Sequence, residues 1–463
     1  MSVVVNDIHS ELNECVVAEE VAVSSADDVQ RAVARAAAQG LPVAIAGGRH
    51  AMGGQQFCAG GMLLDTRTLD GILAFDAETG TIDVEAGIQW PALVEYLGEH
   101  PAPDGTHWAI RQKQTGADRL SIGGALAANA HGRGLTFPPF SSDVESFVLV
   151  GPSGDAVTCS REENAELFSL VAGGYGLFGC VASAKLRLVP RQTVERVVEL
   201  RLIDDLEGLF ESRIADGFLY GDFQFATDPA SDDFLRRGVF SCYRPVEHDG
   251  PLPDGQRALT RDDWRRLLVL AHTDKRSAFD QYAEHYLATS GQLYHSDAHQ
   301  LGDYEDGYHR ALDAHLGSPH KATEMISELY VPRDRLADFM ADVADDFRGS
   351  GVDVIYGTIR LIERDEDAFL AWAREPWACV IFNLHTVHTD VGLEHSAAAF
   401  RRLIDLAAER SGSYFPTYHR WATREQVERC YPQFRDFLDA KLRYDPAERF
   451  QSDWYRHHRA LLA

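Results

Sequence analysis

No stretch of this chain stays apolar for the roughly eighteen residues that crossing a bilayer requires, and no internal repeat or long low-complexity tract interrupts it. The first residues, Met1 to Asp7, lack the basic and apolar regions of a secretory signal, so none is expected. Cysteine is sparse. Seven are scattered from Cys15 to Cys430 with no Cys-x-x-Cys, a pattern of reduced thiols rather than of a disulfide framework, and it suggests a cytoplasmic protein. No HExxH motif marks a metal site. Positive charge is also in deficit: 44 Lys and Arg against 71 Asp and Glu leave a net charge of −27. An acidic surface repels polyanions, which argues against nucleic acid and anionic membranes as partners.

What remains is an ordinary globular composition over 463 residues, 45% hydrophobic, enough for two or three domains. Glycine marks the chemistry. Ala46-Gly47-Gly48-Arg49-His50-Ala51-Met52-Gly53-Gly54-Gln55 follows a short apolar strand, Pro42 to Ala46. Bare amides facing an anion are the usual reason for such a loop, although a glycine-rich surface turn has the same composition. Ser25 reads as an N-cap, with Asp27 and Asp28 in the first turn of an alanine-rich helix that Gly40 and Pro42 terminate. The order helix, strand, glycine loop, strand is not that of a classical dinucleotide fold, in which the loop runs directly into a helix. A hairpin follows over 72–75 and 81–85, then a helix opened by Trp90-Pro91.

A second small-residue stretch, Gln114 to Gly134, contains Leu120-Ser121-Ile122-Gly123-Gly124 and His131-Gly132. A third, Gly173-Gly174-Tyr175-Gly176-Leu177-Phe178-Gly179, contains a Gly-x-Gly-x-x-Gly sequence. Its context is inverted, with helix before it and strand after it, so no nicotinamide site is expected there.

Together these three stretches resemble the flavoproteins of the vanillyl-alcohol oxidase type, with a PCMH-type FAD-binding domain. The alditol and sugar-lactone oxidases are the nearest branch, and cytokinin dehydrogenases are more distant. The resemblance implies an α+β fold: a two-subdomain FAD-binding domain over 15–190, a substrate (cap) domain with an antiparallel sheet over 191–414, and a segment, 415–463, returning to the FAD domain. It implies cofactor contacts at Ala46, Gly47, Gly48, Arg49, His50, Ala51, Met52, Gln55, Thr115, Gly116, Asp118, Ser121, Ile122, Gly123, Gly124, Ala128, His131, Gly132, Gly134, Gly179 and Val181. His50 aligns with the histidine that carries flavin covalently in many relatives, whereas in others FAD is bound without that bond. No cysteine lies between Gln114 and Gly134, so at most a single attachment is expected.

In the second half, Val354 to Ile362 and Cys379 to His385 resemble the paired family strands that face the flavin. Arg360 matches the family arginine. Thr358 stands where alditol oxidases have glutamate, and Asn383 replaces a threonine, so a polyol substrate does not carry over. Residues two apart share a strand face, which groups Thr358 with Arg360 and Asn383 with His385. Tyr414 to Trp421 resembles the returning segment whose histidine, here His419, meets the flavin edge; the lysine that follows in relatives is absent, Thr423 being nearest. Five histidines between Ser290 and His320 read as a solvated loop, able to act as a lid.

These features imply an FAD-dependent oxidoreductase acting on a hydroxyl-bearing carbon of a small molecule. Arg360 and Asn383 would orient the substrate, and His419 or His385 would accept the hydroxyl proton. Electrons would pass to O2, giving hydrogen peroxide. A dehydrogenase using another acceptor, and a non-catalytic FAD-fold binding protein, remain open alternatives.

Overall fold

The computed structural model describes residues 2–248, 250–302 and 307–463. The chain opens on a small parallel sheet. β1 (Glu19–Ala22) leads to α1 (Ala26–Gln39), β2 (Val43–Ala46) and β3 (Met62–Asp65), with β3 central. The Ser25 hydroxyl accepts the Asp28 N–H at the start of α1. At its end Gly40 takes the left-handed conformation, φ 68°, that only glycine adopts without strain.

A five-stranded antiparallel sheet follows. It is built from the hairpin β4 (Ile72–Asp76) and β5 (Thr81–Glu85), then β6 (Val144–Val150), β7 (Ala156–Ser160) and β8 (Cys180–Arg187), in the order β7-β6-β8-β5-β4. Between its strands lie α2 (Trp90–Glu99), α3 (Ile122–Ala128) and α4 (Ala165–Val171). The Gly-x-Gly-x-x-Gly stretch does connect α4 to β8, helix before and strand after.

From Thr193 the chain builds an eight-stranded sheet, largely antiparallel: β9 (Thr193–Leu202), β10 (Tyr220–Phe225), β11 (Arg237–Pro245), β12 (Leu293–His295), β13 (Ala322–Pro332), β14 (Val354–Ile362), β15 (Trp377–Val387) and β16 (Ser413–Tyr414), in the order β12-β9-β11-β10-β14-β15-β13-β16. One face is apolar. Phe223, Phe240, Ile359, Val380 and Phe382 pack there beneath α5 (Leu206–Ala215), α9 (Leu336–Ser350) and α10 (Asp390–Glu409). Alternation sends the neighbouring residues, among them Asp222, Thr358, Arg360, Asn383 and Glu328, to the other face. Over that face lie α6 (Arg261–Thr273) and α7 (Lys275–Leu287), while α8 (Tyr308–Leu316) packs against β13.

The returning segment carries α11 (Arg424–Cys430), α12 (Phe434–Tyr444) and α13 (Asp453–Leu462). It closes the first sheet: the Val43 N–H donates to the Arg449 carbonyl at 2.6 Å and the Gln451 N–H to the Val43 carbonyl at 2.9 Å. All seven cysteines are buried free thiols. No helix among the described residues is long and apolar enough to cross a membrane.

The expected solvated histidine loop is only partly that. Residues 303–306 of it lie outside the described residues, but His299 and His309 are buried, and the His299 ring stacks on Tyr243 at 4.3 Å.

Candidate functional site

The loop after β2 is pinned from three directions. Arg49, at φ 61°, forms an ion pair with Glu20 on β1, the Asn13 amide donates to the Met52 carbonyl at 2.6 Å, and the Gln55 amide donates to the Thr417 carbonyl at 2.9 Å. Its glycines serve a close approach of backbone to backbone. A Cβ on Gly47 would stand 2.3 Å from the Ser121 hydroxyl, and one on Gly48 would stand 2.1 Å from the Arg119 carbonyl. The first and second glycine stretches are therefore pressed together, which is a tighter requirement than an exposed turn imposes. Asp118 ties the second stretch to the larger sheet's side of the molecule. It pairs with buried Lys113 at 2.8 Å and accepts the Gly302 N–H at 3.0 Å.

His50 sits where these loops meet. Its Nδ1 shares a hydrogen bond of 2.7 Å with Nε2 of His9, and its Nε2 is buried without a hydrogen-bond partner. Burial, reinforced by the neighbouring His9, lowers the His50 pKa to about 3, and burial lowers that of His9 to about 4. Both imidazoles are neutral at physiological pH.

All three glycine stretches open onto one cavity of about 850 Å³, at the upper end of the ~300–1,000 Å³ typical of cofactor and small-molecule sites. Gly47, Gly48, Arg49, His50, Ala51, Met52, Gln55, Thr115, Gly116, Ser121, Gly123, Gly124, Ala128, His131, Gly179 and Val181 line it. Six other expected contacts do not. Ala46 and Ile122 are core residues, Asp118 is the tether described above, and His419 lies elsewhere. Gly132 and Gly134 are glycines because a Cβ would meet the Lys113 carbonyl at 2.6 Å or the Phe137 ring at 2.1 Å.

The opposite wall is the polar face of the large sheet. Thr358, Arg360 and Asn383 line it; Thr358 and Arg360 are buried, and the Thr358 hydroxyl and Arg360 Nε have no partner. Arg360 reaches across to the Thr115 hydroxyl, joining the two halves of the molecule. Neither expected base reaches the cavity. His419 is stacked on Phe400 at 4.6 Å, its Nδ1 accepts the Trp421 N–H, and burial lowers its pKa to about 3. His385 shares the strand face with Asn383 but lies farther along, against His272 of α6 at 4.9 Å.

A carboxylate that the sequence reading passed over stands in their place. Glu328, on β13, is fully buried and accepts hydrogen bonds from Tyr330 at 2.5 Å and, on its other oxygen, from Tyr418 at 3.2 Å. Its Oε1 is 2.7 Å from Nε2 of His131. Burial, the largest effect, pushes its pKa up, but His131, the Tyr330 hydroxyl and Arg360 together outweigh it and hold the carboxyl below its usual range. Cys379 Sγ lies 3.4 Å from the same Oε1. The trio could hold a metal only by breaking the His131–Glu328 contact, so the arrangement is a hydrogen-bonded pair. Glu328, His131 and Tyr418 all line the cavity. The available signal was a glutamate followed by the apolar run Leu329-Tyr330-Val331, at a position that alternation turns to the same side as Arg360.

Residues 18–160 match the FAD binding domain family. The chain therefore carries a PCMH-type FAD-binding domain. Relatives of this flavoprotein include L-gulono-1,4-lactone dehydrogenase of Mycobacterium tuberculosis, 24% identical over 428 residues that make up 92% of each chain. An uncharacterized oxidoreductase from the fasciation locus of Rhodococcoides fascians is 26% identical over 359 residues, 71% of this chain and 68% of the other. L-galactono-1,4-lactone dehydrogenase 1 of Oryza sativa subsp. japonica is 34% identical over 129 residues, 28% of this chain and 21% of the other. The flavoprotein's own residues fit FAD. The cavity is large enough, Ala86, Gly123, Gly124, Ala127, Gly176 and Gly179 leave backbone bare along it, and a neutral, partnerless imidazole nitrogen of His50, another lining residue, is available beside them.

Proposed function

We propose that the protein oxidises a hydroxyl-bearing carbon of a small molecule, with FAD carried on His50. Bound FAD supplies a hydride acceptor, reoxidised by dioxygen with release of hydrogen peroxide. The protein's own share is binding, orientation and proton handling. Arg360, Thr358 and Asn383 offer hydrogen bonds to the substrate's hydroxyl groups. Tyr418 lines the cavity and donates to Oε2 of Glu328, which offers a proton leaving the substrate hydroxyl a route through the phenol to the Glu328–His131 pair. The pair is hydrogen-bonded, and the carboxylate's lowered pKa keeps it ionised, the form that can accept. The observation that carries this reading is the convergence on one cavity of the glycine-lined wall and the Arg360–Glu328–His131 cluster.

Attachment through His50 draws support from the ring's geometry. Its Nδ1 is held by His9, its Nε2 has no partner, and a neutral imidazole is the nucleophilic form. Acid precipitation of the purified protein tests this. Yellow chromophore remaining in the pellet, and lost to the supernatant in His50→Ala, is the expected outcome; release from the wild-type protein refutes attachment.

A second reading, a dehydrogenase that passes electrons to an acceptor other than oxygen, is favoured by the names of the lactone-dehydrogenase relatives. Peroxide yield under air separates the two. The buried free thiols are in keeping with a reducing, cytoplasmic setting.

A further inference from the structure

The cavity does not end at Thr358 and Arg360. It continues beneath α6 and α7 into a chamber over β9, β10 and β11, walled by Arg133, Arg196, Asp222, Tyr286, Tyr294 and His299. Arg196 is held by neutral groups: its Nε donates to the Tyr243 hydroxyl at 2.8 Å, its Nη1 donates to the Thr289 hydroxyl at 3.1 Å, and its Nη2 also bonds Tyr243. The guanidinium lies over the rings of Tyr294 at 4.8 Å, Tyr243 at 5.0 Å and Tyr286 at 5.2 Å. Arg133 donates to the His299 carbonyl at 3.0 Å and also lies over Tyr243, at 5.4 Å. Among the described residues the carboxylate paired with these two cations is Asp222, 3.6 Å from Arg133.

Two permanent cations against one carboxylate leave the chamber with an excess positive charge, inside a chain whose net charge is −27. His299 adds nothing to it, because burial and the two guanidinium groups keep its ring neutral. Arg133 Nε, Asp222 Oδ1, the Tyr282 hydroxyl and both His299 ring nitrogens are buried without partners. Buried groups left this way cost stability unless a ligand completes them.

We propose that this chamber binds the carboxylate of an acidic substrate whose hydroxyl-bearing end lies at Thr358 and Arg360. The proposal rests on the function proposed above. Arg196 is on β9 and Thr358 on β14, three strand spacings apart in the sheet; the register sets Leu200 opposite Thr358, so Arg196 is also four residues along, roughly 19 Å away at the backbone. The carboxylate must therefore stand several bonds from the oxidised carbon, farther than the substituents of a single lactone ring reach. Tyr282, Tyr286 and Phe279 line the cavity alongside and suit a planar, apolar middle. The substrate class is a hydroxylated aryl-alkanoic acid.

Calorimetric titration of the flavin-loaded protein with 4-phenylbutyrate and with its primary amide tests this, since neither carries an oxidisable hydroxyl. The acid is expected to bind tenfold or more tighter than the amide. Arg196→Met should bring the two within twofold, and Arg196→Lys, which keeps the charge, should retain part of the preference. Equal affinities in the wild-type protein, or a preference that survives Arg196→Met, would overturn the assignment. The wild-type comparison stands even if a variant fails to fold. The visible spectrum of the same sample reports separately: a sample that never takes up flavin defeats the proposed function, while the acid–amide ratio still decides the chamber.

Discussion

Acidification should destabilise this protein through its buried neutral histidines, and two of them give a share of the effect that can be sized. His419 and His458 are 3% and 2% exposed. The first stacks on Phe400 and the second on Phe434, at 4.6 and 5.1 Å. Burial lowers each to a pKa of about 3 from an ordinary 6.5. The unfolded chain therefore binds protons below about pH 6.5 that the folded chain refuses until about pH 3, and stability falls as pH falls through that window. Each pKa unit corresponds to about 1.4 kcal/mol. Between about pH 6 and pH 4.5 each histidine removes about 1.9 kcal/mol, so the pair removes about 4 kcal/mol, a large share of the ~5–15 kcal/mol that holds a domain folded. Carboxylates with lowered pKa values lose their contribution only at lower pH, whereas Asp143, which burial raises to about 6, takes up its proton within the window and offsets part of the loss. Urea unfolding followed by circular dichroism at several pH values measures the slope. His419→Asn keeps an acceptor for the Trp421 N–H and should lower the slope by one proton; His458→Asn keeps a donor for the Trp454 carbonyl and should do the same. A wild-type curve flat across the window, or variants with the wild-type slope, would refute the reasoning.

Two further outcomes bear on the reaction. Glu328→Gln keeps the shape of the buried carboxyl but gives up its proton affinity. Turnover should fall by about 10²–10⁴ with flavin content unchanged. Wild-type turnover in that variant would move the proton acceptor elsewhere. Arg360→Ala should depress turnover far more than flavin content, and unchanged steady-state kinetics would remove Arg360 from the substrate's contacts.

Much of the local structure was legible because its causes are local. Ser25 and Gly40 bracket α1 through bonds to residues within four positions, and the strands at 354–362 and 379–385 declare themselves by alternation. The same alternation placed Thr358, Arg360 and Asn383 on one face, and the cavity takes all three. What failed depended on distance. Glu328 meets His131 across 197 positions and Tyr418 across 90, so nothing near it in the chain announces either partner. His419 has the right neighbours in sequence, but Phe400 and Trp421 cover its ring. His385 has the right face, yet α6 covers that end of the strand. The glycines at 47 and 48 were recognisable as a functional loop. Their reason, contact with 119–121, appears only once the two loops are packed.

The backbone bonds between Val43 and residues 449–451 also bear on how the protein is made. The strand that launches the His50 loop pairs early with β3 but gains its second neighbour only some four hundred residues later, so this edge of the nucleotide-holding half stays open for nearly the whole of synthesis. A premature stop before Arg449 would act as a lesion of the cofactor site, although no cofactor loop had been touched.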